Sequence, residues 1–355
     1  MNEKAVIAMS GGVDSSVAAW RMLEAGYDCI GLTLKLFSTD DIAPAASRGC
    51  CSLADVNDAR DVAWKLKMPH YVLNFADEFR EQVIRRFIET YEKGGTPNPC
   101  IDCNRFIKFN DLLLRTKQLD FDILVTGHYA RIEKQGGRWL LKKALDAKKD
   151  QSYVLYAMTQ EQLAHTQFPL GGMTKPEVRE IAATQGFINA NKRDSQDICF
   201  VPDGDYGRFM EEYTGKHYEE GNIIDEKGKI IGRHRGLVRY TLGQRRGLGV
   251  AANEPVYVTK KNQHDNTLTL GKESSLYTKS LIARDLNLIA FDRIEKPLRL
   301  MVKTRYLQQE KKALVEQTGP DEFTVIFDEP QRAVTPGQAA VLYDGDVVAG
   351  GGTII

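Results

Sequence analysis

Ala5-Val6-Ile7-Ala8-Met9-Ser10-Gly11-Gly12-Val13-Asp14-Ser15-Ser16 is the stretch whose reading decides the fold. The run from Ala5 to Met9 is continuously apolar, the mark of a strand buried on both faces of a parallel sheet. Directly after it, Gly11 and Gly12 permit a sharp turn and allow a ligand to approach main-chain N–H groups closely. The pattern then predicts a helix over 15–25, opened by Ser15 and Ser16, whose N-terminus offers amides and the positive end of a dipole to an anion. Phosphate is the natural occupant. The pattern GxxxxGK[ST] occurs nowhere in the chain, which disfavours a Walker-type kinase or GTPase.

Outward from this stretch, strands over 4–9, 28–36 and 71–74 alternate with helices over 15–25 and 53–66, which means a parallel sheet with right-handed crossovers. Helical periodicity resumes over 77–92 and 106–119, and 123–126 is another short apolar strand ending at Gly127-His128. Ligands bind outside the carboxyl ends of such strands, where Ser10, Leu34 and Gly127 fall. The long irregular stretches 37–52 and 93–104 are of a length usually reserved for function or mobility. Residues 131–142 predict a hairpin turning at Gly136-Gly137. After Pro202 the character changes: a helix over 205–214, a strand-turn-strand signal at Glu226-Lys227-Gly228, a basic segment from Arg233 to Arg246, then short alternating strands such as 298–303, 313–317 and 322–327, which suggest a small β-barrel. The expected division is 1–202, 203–274 and 275–355.

With 355 residues the chain is long for a single core. Lys plus Arg and Asp plus Glu are both 48, a net charge of +0, so a polyanionic partner must be met by local clustering rather than overall charge. No apolar run reaches the roughly 20 residues of a membrane span, and Met1 to Lys4 reads straight into the first strand, so a cytoplasmic protein with no membrane partner is expected. Six cysteines in a reducing compartment read as thiols, catalytic groups or metal ligands rather than as a disulfide scaffold.

Cys100 and Cys103 form a CxxC in the proline-stiffened stretch Thr96-Pro97-Asn98-Pro99-Cys100-Ile101-Asp102-Cys103-Asn104, and Cys199 lies in Asp194-Ser195-Gln196-Asp197-Ile198-Cys199-Phe200. A working thiol needs nearby positive charge or a helix N-terminus, which Arg105, Lys108 and a helix starting at Phe106 would supply to Cys103. The blander reading is a zinc half-site completed by Cys50-Cys51. Cys29 reads as core. His128 reads equally as a phosphate contact or as a structural group. Arg233, His234, Arg235, Arg239, Arg245 and Arg246, with no acid among them and with glycines interleaved, read either as a solvated face or as an RNA surface, with Arg245 and Arg246 the candidates for phosphate contact.

Ser10 to Ser16 resembles the PP-loop of ATP pyrophosphatases, which cleave ATP between the α and β phosphates. With TGHYAR at 126–131, KDQSY at 149–153, DSQDICF at 194–200 and YTLGQRRGLG at 240–249 in the same order, the whole chain is similar to bacterial tRNA-specific 2-thiouridylases. The resemblance implies an α/β PP-loop nucleotide-binding domain, a small central tRNA-contacting domain and a C-terminal β-barrel. It implies adenylation of O2 of the wobble uridine by ATP with Mg²⁺, followed by replacement with sulfur. Ala8, Met9, Ser10, Gly11, Gly12, Val13, Asp14 and Ser15 would hold ATP with Leu34 and Gly127, Asp14 positioning metal or phosphate. Cys199 would carry a persulfide from a cysteine desulfurase or sulfur-relay protein, and Cys103 would assist and then close a disulfide with it. Asn98, Pro99 and Cys100 would touch the flipped base, Lys149, Asp150 and Gln151 the anticodon, and Arg305 with Tyr306, in a barrel strand, also the tRNA. Many relatives carry Asp at position 100; the thiol there opens a second reading, in which Cys100, Cys103 and Cys199 ligate an iron–sulfur cluster. The rival in another reaction class is a PP-loop ligase or amidotransferase that adenylates a small-molecule carbonyl, which would need neither cysteine.

Overall fold

The computed structural model describes residues 3–37, 53–194 and 198–355. On β1 (Lys4–Ala8) successive side chains alternate between faces. Ala5 and Ile7 pack with Val17, Ala18, Val62 and Val178 on one side, and Val6 packs with Leu32, Leu124 and Phe109 on the other. A strand covered on both faces belongs at the centre of a parallel sheet. The strands that follow are β2 (Asp28–Lys35), β3 (His70–Asn74), β4 (Ile123–Val125), β5 (Ala130–Gln135), β6 (Arg138–Lys143) and β7 (Thr166–Gln167). The 5-stranded sheet runs β3-β2-β1-β4-β7 with every pairing parallel. The order reverses at β1, so the chain leaving that strand opens between β2 and β4, the usual place for a ligand.

Two helix starts differ from the sequence reading. Helix α1 (Val13–Glu24) begins at Val13 rather than Ser15, because Gly12 is itself the N-cap in extended conformation (φ −89°, ψ 159°), and the Ser15 and Ser16 hydroxyls turn back to the Gly12 carbonyl. The helix expected from 106 begins at Pro99, so the irregular stretch ends at Asn98 and the CxxC lies in the opening turns of a helix, not in a loop. That helix runs to Gln118 through a π-helical stretch, Cys103–Leu112. Helix α2 (Leu53–Lys65) and the helix over 76–92 follow the expected pattern. The short β7 and the helix Lys175–Thr184 were not legible beforehand. The stretch 38–52, with Cys50 and Cys51 of the zinc reading, lies outside the described residues, as do Ser195, Gln196 and Asp197.

Beyond the helix Tyr206–Thr214, β8 (Gly221–Asp225), β9 (Ile230–His234), β10 (Tyr257–Asn262) and β11 (Thr267–Gly271) form a sheet in the order β10-β11-β8-β9 around Ile223, Val258 and Leu268. The C-terminal strands are β12 (Tyr277–Leu288), β13 (Leu298–Lys303), β14 (Lys311–Gln317), β15 (Glu322–Arg332), β16 (Ala339–Asp344) and β17 (Val347–Ile354). They pair in the order β12-β15-β14-β13-β16-β17, and β17 pairs back onto β12, which closes the barrel. Phe323, Val325 and Phe327 alternate inward along β15. The β5–β6 hairpin joins this barrel's sheet through Val347 and Lys142. Tyr153 and Val154, which follow it, pack in one core with Val341, Tyr343 and Val348. Arg305 and Tyr306 lie in the turn after β13, not in the strand as expected. No helix among the described residues is long and apolar enough to cross a membrane.

Candidate active site

At the exit of β1 the loop is locked from beneath. Gly11 adopts φ +73°, and a Cβ there would sit 2.2 Å from the Asp55 carbonyl oxygen, so only glycine fits. The Gly11 carbonyl accepts from Asn189 Nδ2 (3.0 Å) and Lys192 Nζ (3.1 Å), and the Gly12 carbonyl accepts from the hydroxyls of Ser15 and Ser16 (both 3.0 Å). Since C=O and N–H of a trans peptide point in opposite directions, turning these carbonyls inward turns the following N–H groups outward. No side chain caps α1. The result is a helix end whose amides and dipole are presented to an anion. Gly127, at the end of β4, crosses this loop so closely that a Cβ would stand 2.8 Å from the Asp14 carbonyl carbon and from Ser15 N. Ala8 and Met9 lead into it, Met9 being held by Leu32 and Thr33 of β2, and Leu34 is half-buried on the same strand against two core clusters.

Asp14 is the charged group of the loop. Its Oδ1 accepts from Tyr129 Oη (2.8 Å), and Lys175 Nζ donates to Oδ1 (2.8 Å) and Oδ2 (2.9 Å). Lys175 is buried and also reaches Asp194 Oδ1 at 2.8 Å, while Lys149 (2.6 Å) and Arg179 (3.0 Å) complete the surroundings of Asp194. Burial alone would raise the Asp194 carboxyl, but Lys149 and Lys175 hold it down at about 2. Lys192 further binds Asp55 (2.6 Å) and Asp58 (2.5 Å) of α2. Lys175, Asn189, Lys192 and Asp194 were missed as site residues; only the Thr174 to Glu177 capping box hinted at a helix there.

The second site is the helix start at Pro99. Asn98 Oδ1 accepts from Cys100 N at 3.2 Å, and Pro99 occupies the first helical position. Cys100 is exposed, and Cys103 and Cys199 are both half-buried and pack against one apolar cluster that includes Phe79, Phe87 and Phe200. Arg105 is engaged over the Phe106 ring and acts on Asp102, whose carboxyl burial pushes up to about 6 against the pull of Arg86. Lys108 lies toward His128, which is buried, bonded to Thr126 Oγ1 (2.7 Å), and held well below its ordinary value by burial; it is a neutral structural group. A cleft of 180 Å³ opens here between Pro97, Asn98, Asp102 and Arg86 and the barrel residues Asp285 and Thr353.

The remaining candidates divide. Burial, then Asp150 and Cys100, push the Tyr306 hydroxyl up, so the fold brings Tyr306, Asp150 and Cys100 into one neighbourhood. Asp150 accepts from Ala144 N and Ser152, and Gln151 Oε1 accepts from Tyr129 N (2.8 Å), both shaping their own turn. Arg305 donates to the Ala333 carbonyl and to Thr335 Oγ1 (both 2.8 Å), bracing the barrel. The basic segment is less uniform than its sequence: Arg239 is paired with Asp205 (3.0 Å) and Glu211 (2.5 Å), Arg233 lies 3.7 Å from Glu220, and His234 is buried, whereas Arg245 and Arg246 are exposed. Among the described residues no group of three or more His, Cys, Asp or Glu is disposed to hold a metal ion, so the three cysteines do not form the cluster ligand set of the second reading.

A parallel sheet carrying this loop at its reversal point defines a nucleotide-binding domain of the HUP class, and the family described as "tRNA methyl transferase HUP domain" matches residues 3–203. "tRNA methyl transferase PRC-barrel domain" matches 207–272, and "Aminomethyltransferase beta-barrel domain" matches 278–354. The tRNA-specific 2-thiouridylase MnmA of Clostridioides difficile (strain 630) is 50% identical over 356 residues, covering 100% of this chain and 98% of the relative. That of Acetivibrio thermocellus is 50% identical with 99% of each covered, and that of Clostridium acetobutylicum 46% identical with 100% of each covered. The chain belongs to the tRNA-specific 2-thiouridylase family.

Proposed function

We propose that the chain converts the wobble uridine of tRNA to 2-thiouridine. The carrying observation is one open, uncapped helix end with its own carboxylate, Asp14, in the same domain as two cysteines packed on a common apolar cluster. ATP sits with its phosphates on the amides of residues 10–15, and O2 of the uridine attacks the α phosphate, releasing pyrophosphate. The magnesium is one carried on those phosphates; a phosphate-bound Mg²⁺ needs only one or two carboxylates from protein, and Asp14 is the loop's. Adenylation gives C2 a leaving group. The terminal sulfur of a Cys199 persulfide, supplied by a cysteine desulfurase or relay protein, attacks C2, and AMP departs with the original oxygen. Cys103 then attacks the Cys199 sulfur; its electron pair forms the disulfide, the Sγ–S bond breaks toward the base, and C2 keeps sulfur as the thiocarbonyl. A cytoplasmic setting supplies the thiols that reopen the disulfide. Asn98, Pro99 and Cys100 line the approach to the base, Lys149, Asp150, Gln151, Arg305 and Tyr306 form the surrounding tRNA surface, and Arg245 and Arg246 meet phosphates further out.

Purified protein given ATP, Mg²⁺, a persulfide donor and unmodified tRNA should yield 2-thiouridine on nucleoside analysis, together with AMP. AMP release driven by a small carbonyl compound without tRNA would favour the ligase reading, and no thiouridine with a competent donor would overturn the proposal.

A further inference from the structure

The segment leading to Cys199 is fastened to the nucleotide loop by charges the reaction scheme leaves unused. Arg179 donates to the carbonyls of Ala190 and Lys192 (both 3.1 Å) and to Asp194 Oδ1 (3.0 Å), so one planar guanidinium grips the segment along its length. Asn189 and Lys192 tie its beginning to the Gly11 carbonyl. Its end, Asp194, shares Lys175 with Asp14.

An ammonium has three donors, and those of Lys175 face Asp14 Oδ1, Asp14 Oδ2 and Asp194 Oδ1. A phosphate arriving at the loop must therefore displace one of these acceptors. Asp14 sits on the loop itself and has, besides Lys175, the neutral Tyr129 hydroxyl. Asp194 keeps Lys149 and Arg179 and yields Lys175 at lower cost. Resting on the ATP reading of the loop, we propose that Asp194 is a positioning residue that couples nucleotide occupancy to Cys199. ATP takes the Lys175 donor from Asp194, the hold on 189–194 relaxes, and Cys199 comes within reach of its sulfur donor and of the activated base. The cysteine is thereby exposed to sulfur chemistry only when an activating nucleotide is in place.

Alkylation of Cys199 by iodoacetamide, read by mass spectrometry of its peptide, tests this with and without α,β-methylene-ATP. The analogue should accelerate the wild-type reaction several-fold. In Asp194→Asn the rate should already be fast and indifferent to the analogue, and kcat for thiolation should fall on the order of tenfold with little change in the KM for ATP. Asp194→Glu should restore part of the nucleotide response. Should Asp194→Asn not fold, Arg179→Gln weakens the same grip and should show the same loss of response. A wild-type enzyme that thiolates tRNA while its Cys199 reactivity ignores the bound analogue would overturn the coupling alone, as would an Asp194→Asn enzyme with the wild-type response. A wild-type protein that binds neither ATP nor the analogue would overturn the ATP reading and the coupling with it.

Discussion

The helix start at Val13 and the helix start at Pro99 solve the same problem in opposite ways. Every helix begins with N–H groups that lack an internal partner. At Pro99 the chain satisfies them itself: the Asn98 side chain accepts from Cys100 N and proline removes one donor outright. At Val13 the cap is a glycine with nothing to offer, and the nearby hydroxyls of Ser15 and Ser16 turn toward a carbonyl instead. A closed start fixes whatever sits on its first turns, here Cys100 and Cys103; an open start waits for an anion. The difference assigns ATP to the first and sulfur handling to the second.

Breaking the open start should do the most damage. Asp14→Ala is expected to lower both AMP release and thiouridine formation by about a hundredfold or more, since it removes a charge placed beside the reacting phosphates, while the melting temperature shows a folded protein. Wild-type AMP release would deny the loop its activating role. Cys103→Ser and Cys199→Ser should remove one product only: tRNA-dependent AMP release persists and thiouridine disappears, whereas Cys100→Ser keeps substantial thiolation.

Smaller effects sharpen the view of the closed start. Burial raises the Asp102 carboxyl from 3.8 to about 6 in spite of Arg86. The folded state thus binds the extra proton over that interval, and stability falls as pH rises through it, by on the order of 2–3 kcal/mol. Relative to wild type, Asp102→Asn should become steadily more stable between about pH 4 and pH 7 in urea titrations; a pH-independent difference would show that this carboxyl titrates normally. Asn98→Ala should cost about 1 kcal/mol, the worth of a typical N-cap, and Asn98→Ser most of that less. No loss in a denaturant titration would mean the helix start is held by something other than its cap.

Local chemistry was legible and distant pairing was not. The apolar run, the two glycines and Asp14 announced the first strand, turn and helix because each acts on its own neighbours, and the barrel strands announced themselves by alternation along residues such as Phe323, Val325 and Phe327. Asn98-Pro99 carried a helix-start signature that was read as stiffening of a loop. Lys175 and Lys192 carried no signal at all: each lies more than a hundred residues from Asp14 or Gly11 along the chain and reaches it only through the fold. The same holds for Arg239, whose acids come from a different helix, and for the hairpin at 130–143, whose turn was evident but whose partner strand β17 was not.

The central claim is that the loop turns O2 of the uridine into a leaving group before sulfur arrives. Transfer RNA carrying ¹⁸O at O2 of the wobble uridine tests it most directly, with the released AMP examined by mass spectrometry after thiolation. The account predicts one ¹⁸O in each AMP formed per thiouridine. Unlabelled AMP accompanying full thiolation would contradict it.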